Sequence, residues 1–151
     1  MIHYIYKDSE HSREEALKER FNETPDAAGF YSRKIPQEGR RIGYDLVDLD
    51  SGKAVPLARE PEFLPEEWQE ALTHGHFSFS AEGFEAAERI ISAALEKGVK
   101  EIFIDEAGKL ELQEQGYAPL IRKALAAGAE LYLGCRKINA EPLRDLFAPE
   151  G

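Results

Sequence analysis

The chain has few of the residues from which several kinds of site are built. Its 151 residues include a single cysteine, Cys135, which excludes a disulfide framework and a multi-cysteine zinc site. No apolar run approaches the roughly 20 residues that a membrane helix needs. Basic residues are the minority, 19 against 29 acidic ones, so the formal charge is −10. Because polyanion binding needs clustered basic residues, we expect no nucleic-acid partner and no membrane partner.

The remaining composition is that of a folded globular protein. Hydrophobic residues make up 42% of the chain, enough for a core, and the length fits one domain over 1–151. The first residues carry neither the basic segment nor the apolar segment of a signal peptide. We therefore expect a cytoplasmic protein.

Strand patterns dominate the first half of the chain. A short β-prone run at 2–6 precedes a predicted helix at 13–21, for which Ser12 is the N-cap and Glu15 completes a capping box. Runs at 29–35 and 40–49 predict a hairpin, and a third strand is predicted at 54–58. These three strands form an antiparallel β-meander at about 29–58. The segment 60–76 is less informative, with a short helix predicted at 65–72.

The second half alternates between helix and strand. Helices are predicted at 80–97, 117–127 and 140–147, and buried strands at 101–104 and 130–134. Glycines follow the first two helices as C-caps. This alternation is typical of parallel βαβ units, so we expect an α/β fold with a mostly parallel sheet and the meander inserted in it.

Two adjacent carboxylates, Asp105 and Glu106, end the first of these buried strands. The carboxyl edge of a parallel sheet is where open α/β folds bind ligands. In nucleotide hydrolases the first carboxylate of such a pair holds Mg²⁺ and the second orients the attacking water. Arg136 and Lys137 follow the neighbouring strand, where they could face a phosphate. A solvated strand terminus in an acidic chain explains the same residues.

The sequence resembles the cancer-related nucleoside-triphosphatase family. The resemblance implies a P-loop NTPase-like three-layer α/β fold, with Glu106 as the catalytic carboxylate and Asp105 as a ligand of Mg²⁺. It covers most of the chain and rests on these matches: Gly29-Phe30-Tyr31, Arg41-Ile42-Gly43-Tyr44, Val47-Asp48-Leu49, Ser51-Gly52, Leu57-Ala58-Arg59, Glu82-Gly83-Phe84-Glu85, Ile104 through Leu112, and Gly134-Cys135-Arg136.

The first loop departs from this family. The family carries Gly-x-x-Gly-x-Gly-Lys-Thr-Thr there, a loop that cradles phosphates. The corresponding positions in this chain hold Asp8, His11, Arg13, Glu14, Glu15 and Ala16. Glu14 reverses the charge of the family lysine, and Glu15 replaces a hydroxyl that binds Mg²⁺. Carboxylates a few Å from a triphosphate repel it by roughly several kcal/mol per pair at an effective dielectric constant of 20. We therefore expect that ordinary ATP or GTP binding is lost.

The remaining candidates for a site are few. For a nucleotide they are Ser9, Ser12, Arg13 and Arg136, and for a metal they are Asp105 and Glu15. Mg²⁺ is the candidate cofactor. The carboxylates of Glu14, Glu15, Asp105 and Glu106, with His11 near, form either a divalent-cation site or an acidic, solvated helix start.

Three functions are compatible with these observations. The first is a binding or regulatory module that keeps the P-loop fold without ordinary triphosphate binding and hydrolysis. The alternative is an enzyme, a Mg²⁺-dependent nucleoside-triphosphatase or phosphohydrolase that uses Asp105 and Glu106. The third is a docking role, in which the β-meander contacts a protein partner or a second copy of the chain.

Overall fold

The strands of this protein join into one sheet, with helices on both of its faces. The computed structural model describes residues 1–148. The elements of this part of the chain are β1 (Ile2–Ile5), α1 (Arg13–Glu23), β2 (Ala27–Gln37), β3 (Arg40–Asp48), β4 (Ala54–Arg59), β5 (Glu70–His74), β6 (Phe77–Ser80), α2 (Ala81–Glu96), β7 (Glu101–Ala107), α3 (Lys109–Leu112), α4 (Ala118–Ala126), β8 (Glu130–Cys135) and α5 (Lys137–Phe147).

The strand order in the sheet is β1-β8-β7-β2-β3-β4-β6-β5. The pairs β1–β8, β8–β7 and β7–β2 are parallel, and every pair from β2 to β5 is antiparallel. The α/β class is confirmed, but the sheet is mixed rather than mostly parallel. The reason is that β2, the first strand of the meander, also pairs with β7. The meander therefore extends the same sheet.

Side chains alternate between two apolar layers along the central strands. Ile102 and Ile104 of β7 face the larger core, which contains residues of α2, α4 and α5. Phe103 faces a smaller core together with Leu17 of α1. This alternation follows from the period of two in a strand. It yields the three layers that the family resemblance implies, with the carboxyl ends of β1, β8 and β7 at one edge.

The segment between the meander and α2 differs from the sequence prediction. Residues 65–68 form turns instead of a helix, and a hairpin of β5 and β6 follows, with Gly75 in its turn at φ 61°. The Trp68 indole donates to the Ser78 hydroxyl at 2.8 Å. Two prolines and a run of acidic residues are typical of a helix start, and this pattern caused the wrong prediction. In the structure, β6 pairs with β4 and therefore joins the sheet as a strand.

The starts of α1 and α2 agree with the sequence prediction. Ser12 caps α1 by accepting the Glu15 amide at 3.1 Å, and its hydroxyl donates to the Glu15 carboxylate at 3.1 Å. Ser80 caps α2 by accepting the Gly83 amide at 2.9 Å. The short helix α3 was not predicted. No helix within residues 1–148 is long and apolar enough to cross a membrane.

Candidate ligand-binding site

The loop between β1 and α1 is closed by its own aspartate. One carboxylate oxygen of Asp8 accepts the backbone amides of Glu10 and His11, each at 2.7 Å, and the Asp8 amide donates to the His11 carbonyl at 3.1 Å. These amide hydrogen bonds lower the pKa of the Asp8 carboxyl. Backbone amides in this position are the groups with which a phosphate-binding loop holds its ligand. In this chain two of them already bind a carboxylate.

Asp105 is completely enclosed at the end of β7. Its carboxylate accepts the Ser32 amide and the Glu106 amide, both at 2.9 Å, and lies 3.2 Å from Nε of Arg13. Burial raises the pKa of Asp105, while Arg13 and the Ser32 amide oppose that shift. A Cβ on Gly134 would meet this carboxylate at 2.0 Å, so β8 needs a glycine beside it.

Glu106 has an unusual backbone conformation and a fixed partner. Its φ of 64° lies in the left-handed region, which non-glycine residues seldom adopt. Its carboxylate forms an ion pair with the Arg13 guanidinium. Arg13 therefore bridges both carboxylates at the sheet edge, where the family would bring a cation or a phosphate.

The other predicted site residues lie in different surroundings. Ser12, Glu14 and Arg136 line the cavities at this edge, whereas Ser9 is exposed and lines none of them. Glu15 is exposed and bonds to Ser12.

The predicted metal ligands do not assemble into a metal site. Within residues 1–148, no group of three or more His, Cys, Asp or Glu side chains is arranged to hold a metal ion. Of the two alternatives for the four carboxylates, the acidic helix start agrees better with the described residues, because Asp105 is enclosed by its own bonds and Glu15 is exposed. The donors do not fit a Mg²⁺ ion held by the protein alone.

Two adjoining cavities open at this edge. The larger, of about 780 Å³, is a cleft that we call the cationic cleft. Seven Lys and Arg side chains and two carboxylates contribute to its lining: Lys7, Arg13, Arg33, Lys34, Arg41, Arg136 and Lys137, with Glu14 and Glu106. Cys135 also lines it, and burial raises the pKa of that thiol to about 11.

The smaller cavity, of about 240 Å³, is mainly apolar, and we call it the aromatic pocket. Tyr44, Phe79, Phe84 and Tyr117 line it, and the Phe84 and Tyr117 rings pack edge-to-face with centroids 5.5 Å apart. Arg13, Glu106 and Arg136, together with Tyr44, belong to the walls of both cavities.

A buried glutamate holds the loop that forms one wall of this pocket. Glu111 is 2% exposed and accepts the Gly108 amide at 2.6 Å and the Tyr117 amide at 2.9 Å. Burial raises the pKa of Glu111, and these amide bonds oppose the shift. No role was predicted for Glu111, although it lies in the stretch Ile104 through Leu112 that carries part of the family resemblance.

Sequence reasoning also missed the hairpin cations. Arg33 and Lys34 on β2 and Arg41 on β3 flank the β2–β3 turn, and all three line the cationic cleft. Their basic pattern is visible in the sequence. What places them opposite Arg136 and Lys137 is the sheet order.

Comparison with known proteins gives consistent results. The sequence profile of an NTPase family matches residues 15–146, beginning after the first loop. The chain is 33% identical to the human cancer-related nucleoside-triphosphatase over 70% of its own length and 57% of that protein. It is 31% identical to the nucleoside-triphosphatase THEP1 of Methanopyrus kandleri over 66% of its length and 51% of the relative. The chain thus spans about half the length of these relatives.

A solved structure shares the fold. The solution structure of a human cancer-related nucleoside triphosphatase superposes with a TM-score of 0.62 and 24% identity. The superposition covers 97% of this chain and 84% of that structure.

Proposed function

This chain belongs to the NTPase family of P-loop proteins, and we propose that it is a member whose first loop no longer holds a nucleoside triphosphate. On this proposal the protein acts as a binding module rather than as an ordinary Mg²⁺-dependent hydrolase. The solved structure of a human cancer-related nucleoside triphosphatase has the corresponding fold.

The observation that carries the proposal is the position of the Asp8 carboxylate. It accepts the amides of Glu10 and His11, so an incoming phosphate would have to replace an anion that is already part of the loop. The displaced carboxylate would then lie beside the phosphate, and two like charges at that distance repel each other. Glu14 adds a further negative charge at the position of the family lysine.

Arg13 supports the same conclusion from the other side of the site. Its guanidinium already neutralises Asp105 and Glu106. A Mg²⁺ ion that approached these carboxylates would have to displace the Arg13 guanidinium from a largely buried pair.

Thermal unfolding with Mg-ATP and Mg-GTP tests the proposal. A ligand present at 100 times its Kd adds roughly 2.7 kcal/mol to the free energy of unfolding, which is readily measured. We expect no shift in Tm with either nucleotide at millimolar concentration. The positive control is the variant that restores the family residues in the loop, for which a shift is expected: Asp8→Gly, His11→Gly, Arg13→Gly, Glu14→Lys, Glu15→Thr and Ala16→Thr. A saturable shift in the unaltered protein would overturn the proposal.

A second candidate function is nucleotide hydrolysis at Glu106. Two observations favour it: the left-handed backbone of Glu106 at the sheet edge, and the cations that line the cleft in front of it. Because the protein donors alone do not fit Mg²⁺, the ion would have to arrive with its nucleotide, held mainly by phosphate oxygens.

Phosphate release by matched variants decides between the two functions. Hydrolysis at Glu106 requires release that disappears in Glu106→Gln and persists in Glu67→Gln, an exposed glutamate that also has a left-handed backbone, with φ 62°. The binding-module proposal predicts that the unaltered protein releases no more phosphate than Glu106→Gln does.

A further inference from the structure

The two outer strands of the sheet differ in how they are protected. β1 and β5 are at the ends of the strand order, so each has one edge without a strand partner among residues 1–148. The pairing of β5 is irregular between Glu70 and Leu72, and Glu70 is exposed. β1 has an unbroken register with β8 and contains no Lys, Arg, Asp, Glu or Pro. Because bulges, charged residues and prolines are what usually prevents further pairing, the edge of β1 is open to another strand.

The free backbone groups of β1 belong to Ile2 and Tyr4. The Met1 carbonyl accepts the Leu131 amide of β8 at 3.0 Å. In a parallel pair both backbone groups of a residue point to the same side, and successive residues alternate. Ile2 and Tyr4 therefore direct their N–H and C=O groups away from β8, where an incoming strand would meet them.

A cavity of about 370 Å³ lies along this free edge, and we call it the β1 groove. Two residues at the strand and four of α1 contribute to its lining: Tyr4, Tyr6, Ala16, Glu19, Arg20 and Glu23. The four helix residues have the spacing i, i+3, i+4, i+7, so they share one face of α1. On the opposite face of the sheet, the Arg144 guanidinium of α5 lies 4.9 Å from the centroid of the Tyr4 ring. A helix therefore borders the free edge on each side.

The wall that α1 forms is acidic. Asp8, Glu19 and Glu23 contribute carboxylates to the groove. The guanidinium of Arg20, which also lines it, stands over the Tyr132 ring at 5.2 Å from the centroid. A strand that places Lys or Arg side chains beside α1 is therefore complementary in charge to this wall.

Two other arrangements fit these observations less well. Within residues 1–148, β2, β3 and β4 each have a neighbouring strand on both sides, so the meander has no free edge for a further strand. Antiparallel pairing of β1 with β1 of a second copy would bring two acidic α1 faces to the same side of the joined sheet. Like charges repel, so a basic segment of a different protein is the better occupant.

We propose that the β1 groove binds an extended segment of a partner protein, which joins the sheet beside β1 and places Lys or Arg side chains against α1. Backbone hydrogen bonds to Ile2 and Tyr4 provide affinity, and ion pairs with Glu19 and Glu23 provide selectivity. This inference goes beyond the proposed function, because it concerns the side of the sheet rather than its carboxyl end. It does not depend on whether the first loop binds a nucleotide.

Hydrogen exchange measured by NMR tests the pairing of strands. The probe is the peptide acetyl-Lys-Val-Lys-Val-Lys-Val-amide, in which alternation puts all lysines on one face of a strand. We expect saturable binding that protects the Ile2 and Tyr4 amides, while the His3 and Ile5 amides are protected with or without the peptide. The same peptide with every backbone amide N-methylated keeps its charge but cannot donate hydrogen bonds, so it should not bind. Equal binding of the two peptides, or unprotected Ile2 and Tyr4 amides, would overturn the inference.

Proline at position 2 separates the backbone contact from the side chain. Ile2→Pro removes an amide that faces away from β8, a position that tolerates proline in an edge strand. Ile2→Ala is the matched control, because it removes the side chain and keeps the amide. We expect a Kd for the peptide about fivefold higher in Ile2→Pro than in Ile2→Ala. Equal Kd values in the two variants, both folded as judged by Tm, contradict the inference. If Ile2→Pro does not fold, the methylated peptide decides on the unaltered protein.

Two double variants with the same change of net charge test the acidic wall. Glu19→Gln/Glu23→Gln should raise the Kd of the peptide about fivefold, because it removes two exposed ion pairs. Glu85→Gln/Glu96→Gln alters exposed positions of α2 outside the groove and should leave the Kd unchanged. Equal weakening in both variants, or equally tight binding of acetyl-Glu-Val-Glu-Val-Glu-Val-amide, would show that the wall does not select a basic segment.

Analytical ultracentrifugation of the protein alone tests the second copy as occupant. We expect a monomer whose Ile2 and Tyr4 amides exchange freely. A dimer in which these two amides are protected would mean that β1 pairs with itself, and the inference would be wrong.

Discussion

At the scale of single residues, the closest packing in the site is between Gly134 and Asp105. A Cβ on Gly134 would come within 2.0 Å of the Asp105 carboxylate, which is fixed by two backbone amides and by Arg13. The carboxylate cannot turn away without losing these bonds. Buried glycine at this position is therefore required by packing rather than by backbone conformation.

Gly134→Ala should consequently lower the free energy of unfolding by about 1–3 kcal/mol, the usual cost of overpacking. Gly108→Ala is the matched control at the same sheet edge, because a Cβ there meets only the Asn139 amide, at an ordinary 3.4 Å. Urea denaturation measures both changes. Equal, small effects for the two variants would contradict the packing described for Asp105.

Asp8 provides a second prediction at this scale. The Glu10 and His11 amides favour the ionised carboxylate, so the pKa of Asp8 is lower in the folded chain than in the unfolded chain. The stabilisation is therefore present above the unfolded pKa and is lost as pH falls through the folded pKa. NMR titration should detect the Glu10 and His11 amide shifts moving together at this low midpoint. The prediction fails if Asp8→Asn gives the same titration.

Only part of this residue-level arrangement could be predicted from the sequence. The Ser12 cap and the carboxylates at the end of β7 follow from local patterns, because capping and strand ends depend on neighbours in the chain. The pairing of Arg13 with Asp105 could not be predicted, because it joins residues that are brought together only when β8 lies between β1 and β7. The hydrogen bonds by which Asp8 closes its own loop also join near neighbours in the chain. They were not predicted, because the family resemblance directed attention to the glycine that Asp8 replaces.

At the scale of elements, α1 and α2 begin at side-chain caps of unequal burial. Ser80 is 3% exposed, and besides accepting the Gly83 amide it donates to the Pro56 carbonyl at 2.6 Å, which ties α2 to β4. Ser12 lies in a more open position and bonds only within the helix start. Loss of the Ser80 hydroxyl would therefore leave buried backbone groups without partners, whereas the groups that Ser12 bonds can be reached by water.

Ser80→Ala should cost about 1–2 kcal/mol of unfolding free energy, since it leaves a buried amide and a carbonyl without partners. Ser12→Ala should cost about 0.5–1 kcal/mol, because water can replace the lost bond. Chemical denaturation of the two variants compares them directly. A larger loss for Ser12→Ala would contradict the burial difference.

Long elements in which apolar residues recur regularly were the easiest to predict. The pattern of α2 identified that helix, whereas the hairpin of β5 and β6 was missed because its strands are short and pair with β4. The identity of those strands depends on an available sheet edge, which local sequence does not reveal. The same limit applies to the mixed character of the sheet.

At the scale of the whole molecule, the distribution of charge matters more than its sum. The total of −10 predicted no nucleic-acid or membrane partner, and Glu14 with Glu15 predicted the loss of ordinary triphosphate binding. The fold instead gathers basic residues from three distant segments at the carboxyl edge of the sheet. Composition cannot reveal such a cluster, because it requires the order of the strands.

An NMR titration of the amide spectrum with nucleoside triphosphate, carried out with and without Mg²⁺, tests the proposed loss of triphosphate binding by the first loop most directly. The account predicts that the Glu10 and His11 amides, which already donate to the Asp8 carboxylate, stay unchanged in both titrations. Saturable shifts of the Glu10 and His11 amides that require Mg²⁺ would contradict it.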